Sequence, residues 1–179
     1  MVADASGHDL AASFWTATLK TLLAEYANPI NSPRDVVCSM NRVLRRILPE
    51  GVFFTLIYAR LNRQNGQLSL INAAHPPAIS IPGDGKEPVV MRQEGDVGVF
   101  PDATYDATEL TVRAGDRFFL YSDGLIEIRG TAEEGLSRLI SACTGLRGAS
   151  LEEMVPSVVR EVTGGVTAQD DVVLMGVEV

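Results

Sequence analysis

Residues 53–73 read Phe-Phe-Thr-Leu-Ile-Tyr-Ala-Arg-Leu-Asn-Arg-Gln-Asn-Gly-Gln-Leu-Ser-Leu-Ile-Asn-Ala. Two runs rich in aromatic and β-branched residues, 53–61 and 68–73, flank Asn65-Gly66. That dipeptide accepts the positive φ values of a tight reversal, so the stretch is predicted to be an antiparallel hairpin. Working outward, further strands are predicted at 78–81, 89–91, 105–112 and 117–121, with turns at Pro82-Gly83-Asp84-Gly85 and Ala114-Gly115-Asp116. Upstream the period changes to that of a helix. Leu10, Phe14, Ala17, Leu19, Leu22, Leu23 and Tyr26 share one face until Asn28-Pro29. Ser32-Pro33 then opens a second helix, whose apolar face is Val36, Val37, Met40, Val43, Leu44 and Ile47. Downstream of Gly124, helices are predicted at 133–143 and, behind a Ser150/Glu153 capping box, at 151–162; residues 171–179 close as a strand. Helices, then antiparallel strands, then a mixed tail describe an α+β domain with helices outside the sheet.

The composition bounds the partners. The chain has 179 residues, 46% hydrophobic and 21% charged, enough for one domain, 1–179, with a real core. With 15 Lys+Arg against 23 Asp+Glu the net charge is -8, which argues against general nucleic-acid binding. No apolar run approaches the length of a membrane span, and the first residues lack a signal-sequence pattern. Two cysteines make no disulfide framework, which points to a cytoplasmic setting. Residues 1–4 read as a strand already ending, so the domain is expected to be the C-terminal part of a longer parent chain.

Four places could carry chemistry. Asp4 closes a short strand before Ala5-Ser6-Gly7-His8-Asp9. Asp123 is delivered by the apolar run Phe118-Phe119-Leu120-Tyr121-Ser122 onto a turn at Gly124. Asp170 and Asp171 stand at the mouth of the closing strand, and His75 sits between Ala73-Ala74 and Pro76-Pro77. Asp favours turns and strand ends, so none of these carboxylates argues for chemistry by itself. Three that converge would repel one another, and a hard divalent cation, Mg²⁺ or Mn²⁺, removes that repulsion. Each histidine also has a plain reading: His75 as a hydrogen-bonded residue beside a turn, His8 as a helix-terminus residue. Asp9 at a helix start needs no role beyond the dipole. There is no Gly-rich phosphate loop, dinucleotide fingerprint, nucleophile elbow or Cys/His cluster.

Taken together these stretches resemble the SpoIIE-like branch of the PPM family, the metal-dependent serine/threonine protein phosphatases. Asp4-Ala5-Ser6-Gly7-His8 resembles the family's D-V-S-G-H-G, with Asp9 in place of its last glycine. Phe54-Thr55 and Ala73-Ala74-His75-Pro76-Pro77 are similar to F-x-T and A-G-H-P-P, with Ala74 replacing the glycine. Gly115-Asp116 and Tyr121-Ser122-Asp123-Gly124-Leu125-Ile126-Glu127 resemble G-D…Y-T-D-G-v-x-E, and Asp170-Asp171 the closing D-D-x-t. The resemblance implies a sandwich of two antiparallel β-sheets flanked by helices (αββα). The family's upstream acidic motif falls before Met1, so the sandwich is expected to be N-terminally incomplete.

The resemblance also implies a two-metal centre using Mn²⁺ or Mg²⁺. By position, Asp4 and the backbone carbonyl of Ala5, with Asp123 and Asp170, would be the ligands. Gly7, His8, His75, Gly124 and Asp171 would support them, and the second metal site would be incomplete. The implied reaction is attack of a metal-activated water on phosphoserine or phosphothreonine. Implied partners are a phosphorylated anti-sigma-factor antagonist of the STAS type and an N-terminal sensor or receiver domain. An incomplete sandwich would expose sheet edges, so a second copy of the chain is a further expected partner. The competing readings are a phosphatase-fold module that binds a regulatory partner without turnover, and a plain acidic α+β ligand-binding domain.

Overall fold

The computed structural model describes residues 1–6, 10–91, 103–168 and 170–179, with backbone only for 10–13. The chain divides into two compact units, Met1–His75 with Gln93–Leu110, and Pro76–Arg92 with Thr111–Val179.

The first unit is built on strands β1 (Val2–Ala5), β2 (Phe54–Asn62) and β3 (Gln67–Ala73), with helices α1 (Leu10–Tyr26) and α2 (Pro33–Ile47). Strand β1 pairs antiparallel with β2, and β2 antiparallel with β3. The reversal between β2 and β3 spans Arg63–Gly66 rather than two residues: Gly66, at φ 67°, donates its N–H to Asn62 O, while Asn62 and Asn65 side chains take the amides of Gln64 and Gln67. Helix α2 starts as its sequence predicts. Ser32 accepts from the Asp35 amide and the Asp35 carboxylate accepts from the Ser32 amide, a reciprocal cap. Its apolar face, Val36, Val37, Met40 and Leu44, packs with Leu19 of α1 and with Phe54, Leu56, Tyr58, Ile71 and Ala73 of the sheet. These strand residues alternate, so one face of the sheet is covered by helices and carries that core.

The second unit holds β4 (Ala78–Ile81), β5 (Val89–Met91), β7 (Arg117–Tyr121) and β8 (Leu174–Glu178), in the order β5-β4-β7-β8, every pair antiparallel. Strand β6 (Thr108–Thr111) lies next to β3 in the other sheet. Helices α3 (Asp123–Glu127), α4 (Ala132–Gly145) and α5 (Leu151–Thr163) supply Leu125, Leu139, Met154 and Val158 to a core shared with Ile79, Ile81, Phe119 and Tyr121. Arg117 ties its strand to the next, its Nε 2.6 Å from Glu178 Oε2.

Four sequence expectations shift. Strand β6 is half its expected length because Tyr105 turns into the first core and Asp106 pairs with Arg34 at 3.7 Å. Strand β8 starts three residues late, because the Ser122 hydroxyl takes the Val173 amide and donates to the Asp171 carbonyl, removing both from a ladder. The residues after Ser122 form helix α3, not a turn, burying Leu125 and Ile126. Ser150 caps α5 through its hydroxyl, which accepts from the Glu153 amide and donates to the Glu153 carboxylate, so the reciprocal half of the box runs side chain to side chain.

Candidate metal centre

In the first unit, β1 presents Asp4. Alternation sends Ala3 and Ala5 to the helix-covered face and Asp4, which is exposed, to the other. The strand end is pinned: Ser6 donates its amide to Phe53 O at 2.9 Å, and Ser6 Oγ accepts from the Phe53 amide at 2.9 Å. These two bonds fix the Ala5 peptide and so the direction of its carbonyl. Directly across from Asp4 in register stands Thr55. Its Oγ1 lies 2.9 Å from His75 Nδ1, and the His75 amide donates to Asn72 Oδ1 at 2.9 Å. His75 is buried, as is Asn72. Ala74, between them, holds φ 51°. Gly7, His8 and Asp9 lie outside the described residues.

In the second unit, β7 delivers Ser122 and Asp123. The Ser122 hydroxyl does not cap α3; it is committed to Asp171 O (2.7 Å) and the Val173 amide (2.9 Å), and its own amide donates to Val173 O at 3.1 Å. Asp123 Oδ1 takes the Gly124 amide at 2.9 Å, and Asp170 Oδ1 takes the Asp171 amide at 2.8 Å, which orients both carboxylates. Gly124 is a close-approach residue. A Cβ there would stand 2.6 Å from Asp171 O and 3.3 Å from Asp170 Cβ. Its missing side chain lets the Asp123 turn nest against the Asp170-Asp171 segment, so these two acidic motifs, far apart in the chain, abut.

By donor chemistry, the carboxylates of Asp4, Asp123 and Asp170 and the carbonyl of Ala5 are oxygens of the kind a hard cation would take, with no thiolate or imidazole among them. Among the described residues, no three His, Cys, Asp or Glu side chains form a group that could hold an ion by themselves. Thr55 and Ser122, both inside the motifs that carry the family resemblance but given no role there, also shape the site. Strand alternation opposite Asp4 points to Thr55; the role of Ser122 has no local signal, since its partners lie some fifty residues on.

The family model described as stage II sporulation protein E (SpoIIE) matches residues 1–179. Phosphoserine phosphatase RsbP of Bacillus subtilis is 23% identical over 71% of this chain and 32% of its own length. Phosphoserine phosphatase RsbU of the same organism is 25% identical over 72% of this chain and 38% of its own. The chain thus spans well under half of the curated relatives it matches. Among solved structures, the RsbU and RsbW domains of Rv1364c from Mycobacterium tuberculosis superpose with a TM-score of 0.85 at 17% identity, covering 97% of this chain and 49% of that one. The PP2C phosphatase domain of SpoIIE from Bacillus subtilis, solved with a fragment of its regulatory domain, gives 0.79 at 17% identity, covering 98% and 53%. The catalytic domain of the serine/threonine protein phosphatase PstP in complex with two manganese ions gives 0.65 at 15%, covering 97% and 84%. The fold is that of the PP2C-type phosphatases.

Proposed function

The chain belongs to the stage II sporulation protein E (SpoIIE) family, and from that premise we propose that it is a metal-dependent serine/threonine phosphoprotein phosphatase domain. The whole of 1–179 is one such domain, working in the cytoplasm on a phosphorylated anti-sigma-factor antagonist of the STAS type, under an N-terminal sensor or receiver domain. Asp4, the Ala5 carbonyl, Asp123 and Asp170 hold Mn²⁺ or Mg²⁺. Bound cations supply the Lewis acidity that lets water attack a phosphoester at neutral pH. The chain's own work is to aim oxygens. Ser6 fixes the Ala5 carbonyl, the Gly124 amide fixes Asp123, and the Asp171 amide fixes Asp170. His75 and Asp171 support this set, as do Gly7 and His8.

One observation carries the reading: the nesting of Asp123-Gly124 against Asp170-Asp171, which spends a glycine inside a helix to bring two carboxylate motifs together. Carboxylates drawn towards one another repel, and a bound cation would offset that repulsion. A second reading, a module that binds its partner without turnover, is favoured by the lack of any three-residue cage among the described residues. The test is phosphate release from a phosphoserine-bearing STAS-domain protein with MnCl₂ and with EDTA. The phosphatase reading expects release with Mn²⁺ only, and a loss of roughly 100-fold or more in Asp123→Asn. Binding of the phosphoprotein without release selects the second reading. A second copy of the chain, paired through a sheet edge, would appear as a dimer in light scattering.

A further inference from the structure

The polar groups of the first sheet gather on the face turned from its helices. Ala3, Ala5, Phe54, Leu56, Tyr58, Ile71 and Ala73 belong to the helix-covered core. Their neighbours Asp4, Thr55 and Asn72 therefore share the opposite face. Asp4 and Thr55 are cross-strand partners, which sets their Cβ atoms about 5 Å apart. Thr55 Oγ1 is 2.9 Å from Nδ1 of a histidine that is only 6% exposed and whose amide is held by Asn72. An exposed carboxylate thus stands across the strand pair from a half-buried threonine whose hydroxyl is held by a buried imidazole.

A threonine hydroxyl has one proton to give and two lone pairs. When the imidazole proton is on Nδ1, Thr55 accepts from His75 and its own proton is directed to another acceptor; the nearest acidic acceptor in register is Asp4. We propose that Thr55, oriented by His75, is a positioning residue for Asp4: His75 Nδ1–H donates to Thr55 Oγ1, and the Thr55 hydroxyl donates to the Asp4 carboxylate, selecting the oxygen that Asp4 turns towards a cation. Hydrogen bonds of this kind behind a ligand fix its orientation and raise its affinity for metal. The inference rests on the reading of Asp4 as a metal ligand.

The test is calorimetric titration of the full chain with MnCl₂, without substrate. Thr55→Val lowers Mn²⁺ affinity by about 10- to 100-fold, whereas Thr55→Ser, which keeps the hydroxyl, stays close to the parent. His75→Ala moves affinity in the same direction as Thr55→Val. The double variant Thr55→Val/His75→Ala loses no more than the weaker-binding single variant, because the two act as one unit. Thr55→Ser and its metal-free melting temperature keep the test readable if the valine variant folds poorly. Unchanged Mn²⁺ affinity in Thr55→Val, with affinity lost in Asp4→Asn, overturns the inference and leaves Asp4 a ligand. Losses that simply add in the double variant also overturn it. Unchanged affinity in Asp4→Asn overturns the ligand reading itself, and the inference with it.

Discussion

Ala74 holds φ 51°, a left-handed conformation that costs an L-residue with a Cβ about 1 kcal/mol or more. It is the one described non-glycine residue in that region, and it immediately precedes His75. Replacing it with glycine relieves the strain but adds entropy to the unfolded chain, an opposing term of about 0.4–1 kcal/mol. Ala74→Gly is therefore expected to stabilise by roughly 0.5 kcal/mol, raising Tm by about 2 °C. A lower midpoint in urea would show that the strain is not stored there. The two thiols make a second case. Burial, and then the Glu161 charge, push the Cys143 thiol up to about 12, while Cys38 is partly exposed. Only the thiolate reacts, so Ellman's reagent at pH 8 should count one thiol in the native chain and two in denaturant. Two fast native thiols would mean that the second core opens readily. At this scale the sequence exposed Asp4, Asp123, Asp170 and His75 as residues worth watching. It showed Thr55 and Ser122 only as members of motifs and hid their roles, which are fixed by cross-strand register and by a contact some fifty residues distant.

At the scale of elements, glycines divide by what they permit. Gly66 serves a turn with positive φ, which the dipeptide Asn65-Gly66 announces. Gly135 serves packing: a Cβ on it would stand 1.7 Å from Ile126 O, so α4 crosses α3 where only hydrogen fits. The contact is to backbone, which cannot swing aside. Gly135→Ala is expected to cost about 3 kcal/mol, read as a lower urea midpoint with an unchanged slope. A change below about 0.5 kcal/mol would mean that the two helices slide apart freely. The same distinction explains which boundaries were legible. Strands β4, β5 and β7 fall where short apolar runs and flanking Pro-Gly or Gly-Asp turns put them. The α2 start was legible because Ser32, Pro33 and Asp35 are neighbours in sequence. Strand β8 and helix α3 were not, because a single hydroxyl, Ser122, takes residues 171 and 173 out of the ladder. Side-chain competition of this sort leaves no periodic trace.

On the scale of the whole molecule, each unit has its own apolar core, and the proposed ligands are Asp4, Ala5, Asp123 and Asp170. Folding then should be linked to the cation, since a ligand that binds only the native state stabilises it in proportion to the logarithm of its excess. At MnCl₂ about 100 times above its dissociation constant the gain is about 2.7 kcal/mol. For a chain of this size that corresponds to a rise in Tm of roughly 5–10 °C. Calorimetry with and without MnCl₂ should show this rise in the parent chain and its loss after EDTA. Asp4→Asn and Asp123→Asn should each abolish most of it. The pattern separates the two arrangements open to an acidic chain of net charge -8. Non-specific screening of surface carboxylates by a divalent ion would raise Tm modestly in the parent and equally in both variants, because each removes only one of 23 acidic residues. A specific centre loses its stabilisation when either ligand carboxylate is neutralised. Equal shifts in all three proteins would therefore reject the metal centre while leaving the phosphatase fold untouched.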